Sequence, residues 1–111
     1  MTGTLYVVGT GPGSAKQMTP ETAEAVAAAQ EFYGYFPYLD RLNLRPDQVR
    51  VASDNREELD RAQVALTRAA SGVKVCMVSG GDPGVFAMAA AVCEAIDKGP
   101  EEWKSVELVI T

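Results

Sequence analysis

The 111-residue sequence contains no histidine and only two cysteines. Without imidazole there is no Ser/His/Asp triad, and the commonest general acid-base is missing. Two cysteines alone do not close a Cys/His zinc site, so no metal is expected. Cys76 lies in the apolar run Val73 to Val78, and Cys93 falls on the apolar face of an expected helix. Both read as small buried hydrophobes in a reducing compartment. Long apolar runs are absent too: the longest, Val85 to Cys93, is less than half of the roughly 20 residues a membrane span needs. No basic segment precedes an apolar one at Met1-Thr2-Gly3-Thr4, so no secretory leader is read and a cytoplasmic location is expected. Basic residues number 10 against 15 acidic ones, a net charge of -5, without a dense Lys/Arg patch. Nucleic acid is therefore not an expected partner.

What is present is an ordinary globular composition, 47% hydrophobic and 23% charged. A chain of this size buries roughly 65% of its unfolded surface, enough for a core without staples. The punctuation alternates strands with helices. Leu5-Tyr6-Val7-Val8 is a short apolar run closed by a Gly/Pro cluster, hence a buried strand. Thr19-Pro20-Glu21 opens a helix that continues to Gln30, with Thr19 as cap, Pro20 in the first turn and Glu21 complementing the dipole. Phe32 to Tyr35 and Val49 to Ala52 read as further strands.

Ser53-Asp54-Asn55 offers caps for a helix to about Ala70, whose Leu59, Ala62, Leu66 and Ala69 share one face; Gly72 stops it. Val73 to Val78 is nearly continuous in apolar residues, as befits a strand covered on both faces. A helix from near Gly84 to near Gly99 presents Val85, Met88, Ala89, Val92 and Ile96, and Val106 to Ile110 forms a last strand. The alternation implies an α/β fold with a mostly parallel sheet and right-handed crossovers.

Two glycine-rich loops follow strands: Gly9-Thr10-Gly11-Pro12-Gly13-Ser14 and Ser79-Gly80-Gly81-Asp82-Pro83-Gly84. In open parallel sheets ligands bind beyond the carboxyl ends of the strands, where both loops must lie. The alternative is two tight turns with no ligand. The first loop matches the dinucleotide fingerprint only in part: Ser14 replaces the third glycine, the helix starts late at Pro20, and Glu31 precedes the second strand rather than ending it. Neither loop carries the Gly-Lys-Ser/Thr ending of a P-loop. A Rossmann-like nucleotide-binding or regulatory domain is thus the alternative reading, not the leading one.

Leu5 to Ser14 resembles the opening motif of the tetrapyrrole methylases, and Val78-Ser79-Gly80-Gly81-Asp82-Pro83-Gly84-Val85-Phe86 resembles their Gly-Asp-Pro loop. Ser53 to Leu59, Gly34-Tyr35 with Tyr38-Leu39, and Phe86 to Val92 are similar to the precorrin-3B C(17)-methyltransferase branch. Pro37 departs from that branch, where a small polar residue is expected. The resemblance covers Thr4 to Thr111.

It implies a three-layer α/β/α domain with a five-stranded parallel sheet in the order 3-2-4-1-5. It further implies a second α/β domain of similar size, with S-adenosylmethionine in the cleft between the two and a tetrapyrrole (precorrin) in a neighbouring trough. Against that pattern the chain reads as the front half of a two-domain enzyme, a homodimer at full length, inactive as this piece alone. The implied reaction is methylation of precorrin-3B at ring carbon 17, with ring contraction to precorrin-4 in cobalamin biosynthesis. Another precorrin methyltransferase of the same superfamily is the nearest alternative.

By resemblance Pro12, Gly80, Gly81 and Asp82 touch the cofactor, with Val85 as a secondary candidate. Gly11, Tyr35 and Tyr38 are candidates on the substrate side, and no catalytic acid or base is assigned. Two roles stand for Asp82, attraction of the sulfonium or amino group and capping of the following helix. Val85 either walls the pocket or packs in the core. The cluster Phe32, Tyr33, Tyr35, Phe36 and Tyr38 suits a flat macrocycle or ordinary packing under a helix, with Tyr35 and Tyr38 the exceptions to packing. Arg41, Arg45, Arg50 and Arg56 either meet substrate carboxylates or lie on solvated surface. A methyl sulfonium is already activated, so its transfer needs alignment more than acid-base catalysis, and a histidine-free site is no obstacle.

Overall fold

The computed structural model describes residues 3–9, 19–40, 42, 44–53, 58–80 and 82–110. Five parallel strands form one sheet: β1 (Thr4–Gly9), β2 (Glu31–Tyr35), β3 (Val49–Ser53), β4 (Val75–Ser79) and β5 (Glu107–Ile110). Their spatial order is β3-β2-β4-β1-β5, as the resemblance implies. Helices α1 (Pro20–Ala28), α2 (Phe36–Leu39), α3 (Glu58–Ala70) and α4 (Asp82–Lys98) make the connections.

The centre of the sheet follows from hydrophobic content. All five residues of β4 are buried, and β4 pairs with β2 on one side and β1 on the other. β3 is an edge strand, and its Val49 and Val51 are 50% and 39% exposed. Two separate cores cover the two faces of the sheet. Leu5, Val7, Val75 and Met77 pack with Ala62, Ala65, Leu66 and Ala69 of α3 and with Val85, Met88 and Val92 of α4. Val8, Cys76 and Val78 pack on the opposite face with Ala25 and Val26 of α1 and Ala29 at its end, and with Phe32, Leu39 and Leu42.

The local signals act as expected at the start of α1 and at the ends of α3 and α4. The start of α3 differs: the helix is described from Glu58, Ser53 is the last residue of β3, and the other expected caps, Asp54 and Asn55, lie outside the described residues. Thr19 accepts a hydrogen bond from the Thr22 amide, and Pro20 occupies the first turn of α1. That helix closes at Ala28, two residues before Gln30. Its last carbonyls have no basic partner within the helix, and a distant loop supplies donors instead. The Gln48 amide donates to Val26 and Ala29, and the Arg45 guanidinium donates to Ala27. Gly72 adopts φ 109° after α3, a conformation that favours glycine.

Several boundaries differ from the sequence reading. β4 begins at Val75, not Val73. Glu31 is the first residue of β2 rather than preceding it, which still leaves it at the wrong end for a ribose contact. A 3-10 helix over Glu101–Ser105 buries Trp103 where a plain loop is expected, because the indole fits the α3–α4 core. Cys93 is exposed, correcting its reading as a buried hydrophobe: it lies one position beyond Val92, off the face that faces the sheet.

At the amino edge, Glu31 is only 13% exposed and receives the Arg68 guanidinium at 2.6 Å and the Tyr33 hydroxyl at 2.9 Å. The Arg68 hydrogen bond holds the Glu31 carboxyl below its ordinary value. Burial, followed by the bond to Glu31, pushes the Tyr33 hydroxyl up to about 12.

A carboxyl whose pKa is lowered by folding stabilises the fold above its unfolded value and loses that contribution as pH falls through the folded one. The stability deficit of Glu31→Gln, read by denaturant titration, is therefore full above about pH 4.5 and shrinks on further acidification. Leu66 is fully buried between α3 and the sheet, and Leu66→Ala is expected to cost about 2–5 kcal/mol in the same measurement.

Candidate functional site

The crossovers decide where a ligand crevice opens. β1 passes to β2 on one side of the sheet order, whereas β4 passes to β5 on the other. Right-handed connections then send the following helices to opposite faces, as the two cores show. β1 and β4 are nonetheless neighbours, in register to Gly9↔Ser79 at their last residues. Adjacent strands whose helices diverge leave a gap at the carboxyl edge, the place where open α/β sheets bind ligands.

Both glycine loops leave the sheet at this gap. Pro12 and Gly11 of the first loop lie outside the described residues, as does Gly81 of the second. Gly80 is described and half-buried. Asp82 is the first residue of α4, so the helix opens two residues earlier than expected and Asp82 lies within the first turn rather than ahead of it. Val85 is 6% exposed and packs within the α3–α4 core.

The aromatic cluster divides. Phe32 and Tyr33 are buried in the two cores. Tyr35 ends β2, next to β4, and its ring meets Tyr38 edge-on, with centroids 5.5 Å apart and planes at 79°. Both rings are half-buried at the carboxyl edge. Pro37 fits the first turn of α2, where the missing amide donor costs nothing, so the departure at this position leaves the backbone intact. The Tyr38 ring reaches across to the second glycine loop: a Cβ placed on Gly80 would lie 2.5 Å from Tyr38 Cε1.

The arginines separate in the same way. Arg45 is occupied by Asp47 and the α1 carbonyl, and Arg50 pairs with Asp40 at 3.2 Å, so both belong to the solvated surface. Arg41 and Arg56 lie outside the described residues. Arg61, which the sequence reading passed over, is 5% exposed in the second turn of α3. The available signal was its spacing, four residues before the buried Ala65 and so on the core face.

A groove of about 730 Å³ runs between α1 and β5, bounded by Tyr6, Ala28, Val109 and Ile110 with Glu21 and Glu24 among its lining. It includes none of the candidate residues, and its two carboxylates suit a polycarboxylate ligand poorly. Among the described residues no three His, Cys, Asp or Glu side chains gather as a metal site, and no helix is long and apolar enough to cross a membrane.

A family model described as tetrapyrrole (corrin/porphyrin) methylases matches residues 4–107. The chain belongs to this family. It is 97% identical, over its whole length, to the precorrin-3B C(17)-methyltransferase of Sinorhizobium sp., of which it spans 44%. A cobalamin biosynthesis protein CobIJ of Mycobacterium tuberculosis is 49% identical over 90% of the chain and 20% of that relative. The crystal structure of the methyltransferase CobJ superposes with a TM-score of 0.89 at 44% identity, covering 98% of this chain and 46% of that one. The chain thus spans less than half the length of these tetrapyrrole methylases.

Neither cysteine is placed as a nucleophile. Burial pushes the Cys76 thiol well above its ordinary value, which removes its thiolate. A thiol-specific chromophoric reagent should titrate Cys93 alone in the folded protein, and Cys76 only after denaturation. Equal labelling of both under native conditions would contradict this placement.

Proposed function

We propose that the protein carrying this chain is an S-adenosylmethionine-dependent C-methyltransferase of cobalamin biosynthesis, acting on precorrin-3B at ring carbon 17. Ring contraction to precorrin-4 accompanies the methylation in this reading. One observation supports it above the others: near-identity over all 111 residues to a relative of that name. Adjacent parallel strands that deliver both family loops to one crevice agree with it. A second α/β domain, as the family resemblance implies, completes the cleft.

The crevice suits the cofactor in its chemistry. When bound, S-adenosylmethionine supplies a methyl group carried on a sulfonium, which needs alignment rather than a strong base. The candidate residues offer mainly backbone groups from glycine loops and aromatic faces, with no imidazole anywhere in the chain. Pro12, Gly80, Gly81 and Asp82 are proposed to hold the cofactor, and Gly11 and Tyr35 to lie toward the tetrapyrrole; Tyr38, the third substrate-side candidate, packs against Gly80. Val85 supports the loop from the core behind it. With Arg45 and Arg50 occupied, the basic groups that meet the substrate carboxylates are Arg41, Arg56 or groups elsewhere in the full-length enzyme.

Given precorrin-3B and methyl-labelled S-adenosylmethionine, the full-length protein should place label at carbon 17. Label at another carbon would move the assignment to a different precorrin methyltransferase. The 111-residue chain by itself should show no turnover, and calorimetry should find at most weak binding of S-adenosylhomocysteine. Near-native affinity would mean that one domain makes the site.

A further inference from the structure

The contact between Tyr38 and Gly80 joins two segments 42 positions apart, one in the short helix after β2 and the other just after β4. Tyr38 Cε1, Cζ and Oη lie 2.5, 2.6 and 2.9 Å from where a Gly80 Cβ would stand. Real Cβ atoms do not approach other heavy atoms so closely, so an alanine at 80 must displace either the tyrosine ring at 38 or the backbone of the loop. The ring is itself held. Leu39, the next residue, is fully buried beside Phe32, Cys76 and Val78, and the Tyr35 ring meets Tyr38 edge-on. α2 is thus anchored in the core, while the tyrosine preceding that anchor presses on the loop that opens α4.

We propose that Tyr38 is a positioning residue for the Gly-Asp-Pro loop, and that position 80 is glycine to admit its ring rather than to admit a ligand. The tyrosine acts as a strut, setting the height at which the chain leaves β4 and enters α4. The cofactor then meets the loop on the side away from Tyr38. Ring carbons make the two shortest approaches, so the role is assigned to the ring. This rests on the cofactor reading above only for what the loop binds; the strut itself is a property of the fold.

The test is a double-mutant cycle in the full-length protein, with two readouts: S-adenosylhomocysteine affinity by calorimetry and thermal denaturation without ligand. Gly80→Ala should weaken binding about tenfold or more, the scale of an overpacked contact. Removing the ring as well, in Gly80→Ala with Tyr38→Ala, should recover affinity to the level of Tyr38→Ala alone. Tyr38→Phe, which keeps the ring, should retain wild-type affinity and an unchanged KM for the methyl donor, whereas Tyr38→Ala raises that KM more than it lowers kcat.

Additive losses in the double variant would overturn the proposal, because the alanine would then be obstructing the ligand and not the ring. A Tyr38→Phe defect as large as that of Tyr38→Ala would also overturn it, by assigning the role to the hydroxyl. If wild-type protein binds no S-adenosylhomocysteine, the cofactor reading fails by itself. Coupling between positions 38 and 80 in thermal denaturation then still decides the strut.

Discussion

The parallel pairing of β4 with β1 is the constraint on which the rest of this domain depends. β4 is buried along its whole length and hydrogen-bonded on both edges, so it can sit only at the centre of the sheet. Its register with β1 ends at Gly9↔Ser79, which brings the carboxyl ends of the two strands to the same level. What the two strand ends share is a position, and that position comes from backbone hydrogen bonds between strands about 70 residues apart in sequence.

Chirality does the remainder. A right-handed crossover to the left of the sheet order and another to the right cannot place their helices on the same face. The domain consequently has two cores, one under α1 and one under α3 and α4, with a crevice where the strands feeding them part. This geometry suits a reaction in which the donor is already activated and the protein contributes alignment. The most securely built ionic cluster, Glu31 with Arg68 and Tyr33, lies at the opposite edge and ties β2 to α3. Ionic stabilisation and the candidate site are kept apart.

Much of this was legible in the sequence for physical reasons that can be named. Thr19-Pro20-Glu21 states a helix start through local capping, and Gly72 a helix stop through its φ, so no tertiary information was needed. The apolar continuity from Val75 to Val78 identified a central strand because burial on both faces tolerates few polar residues. The family motifs, read in order, gave the strand order and the membership that the family match then showed. Less legible were Cys93 and Val85, which stand in one helix with similar apolar surroundings. A rotation of one position puts the first in solvent and the second in the core. Trp103 and Arg45 were illegible for another reason: each satisfies a need of a different element, packing for α3 and carbonyl capping for α1.

The sequence by itself determined the fold class, the start of α1, the central strand and the family, because these follow from local backbone preference, apolar periodicity and ordered motifs. Only the tertiary structure decided that Cys93 of α4 faces solvent, that Arg45 and Arg50 are already occupied, and that Tyr38 meets Gly80. Such contacts depend on the register of strands and on the side to which each crossover turns. Neither quantity is written in any single segment of the chain.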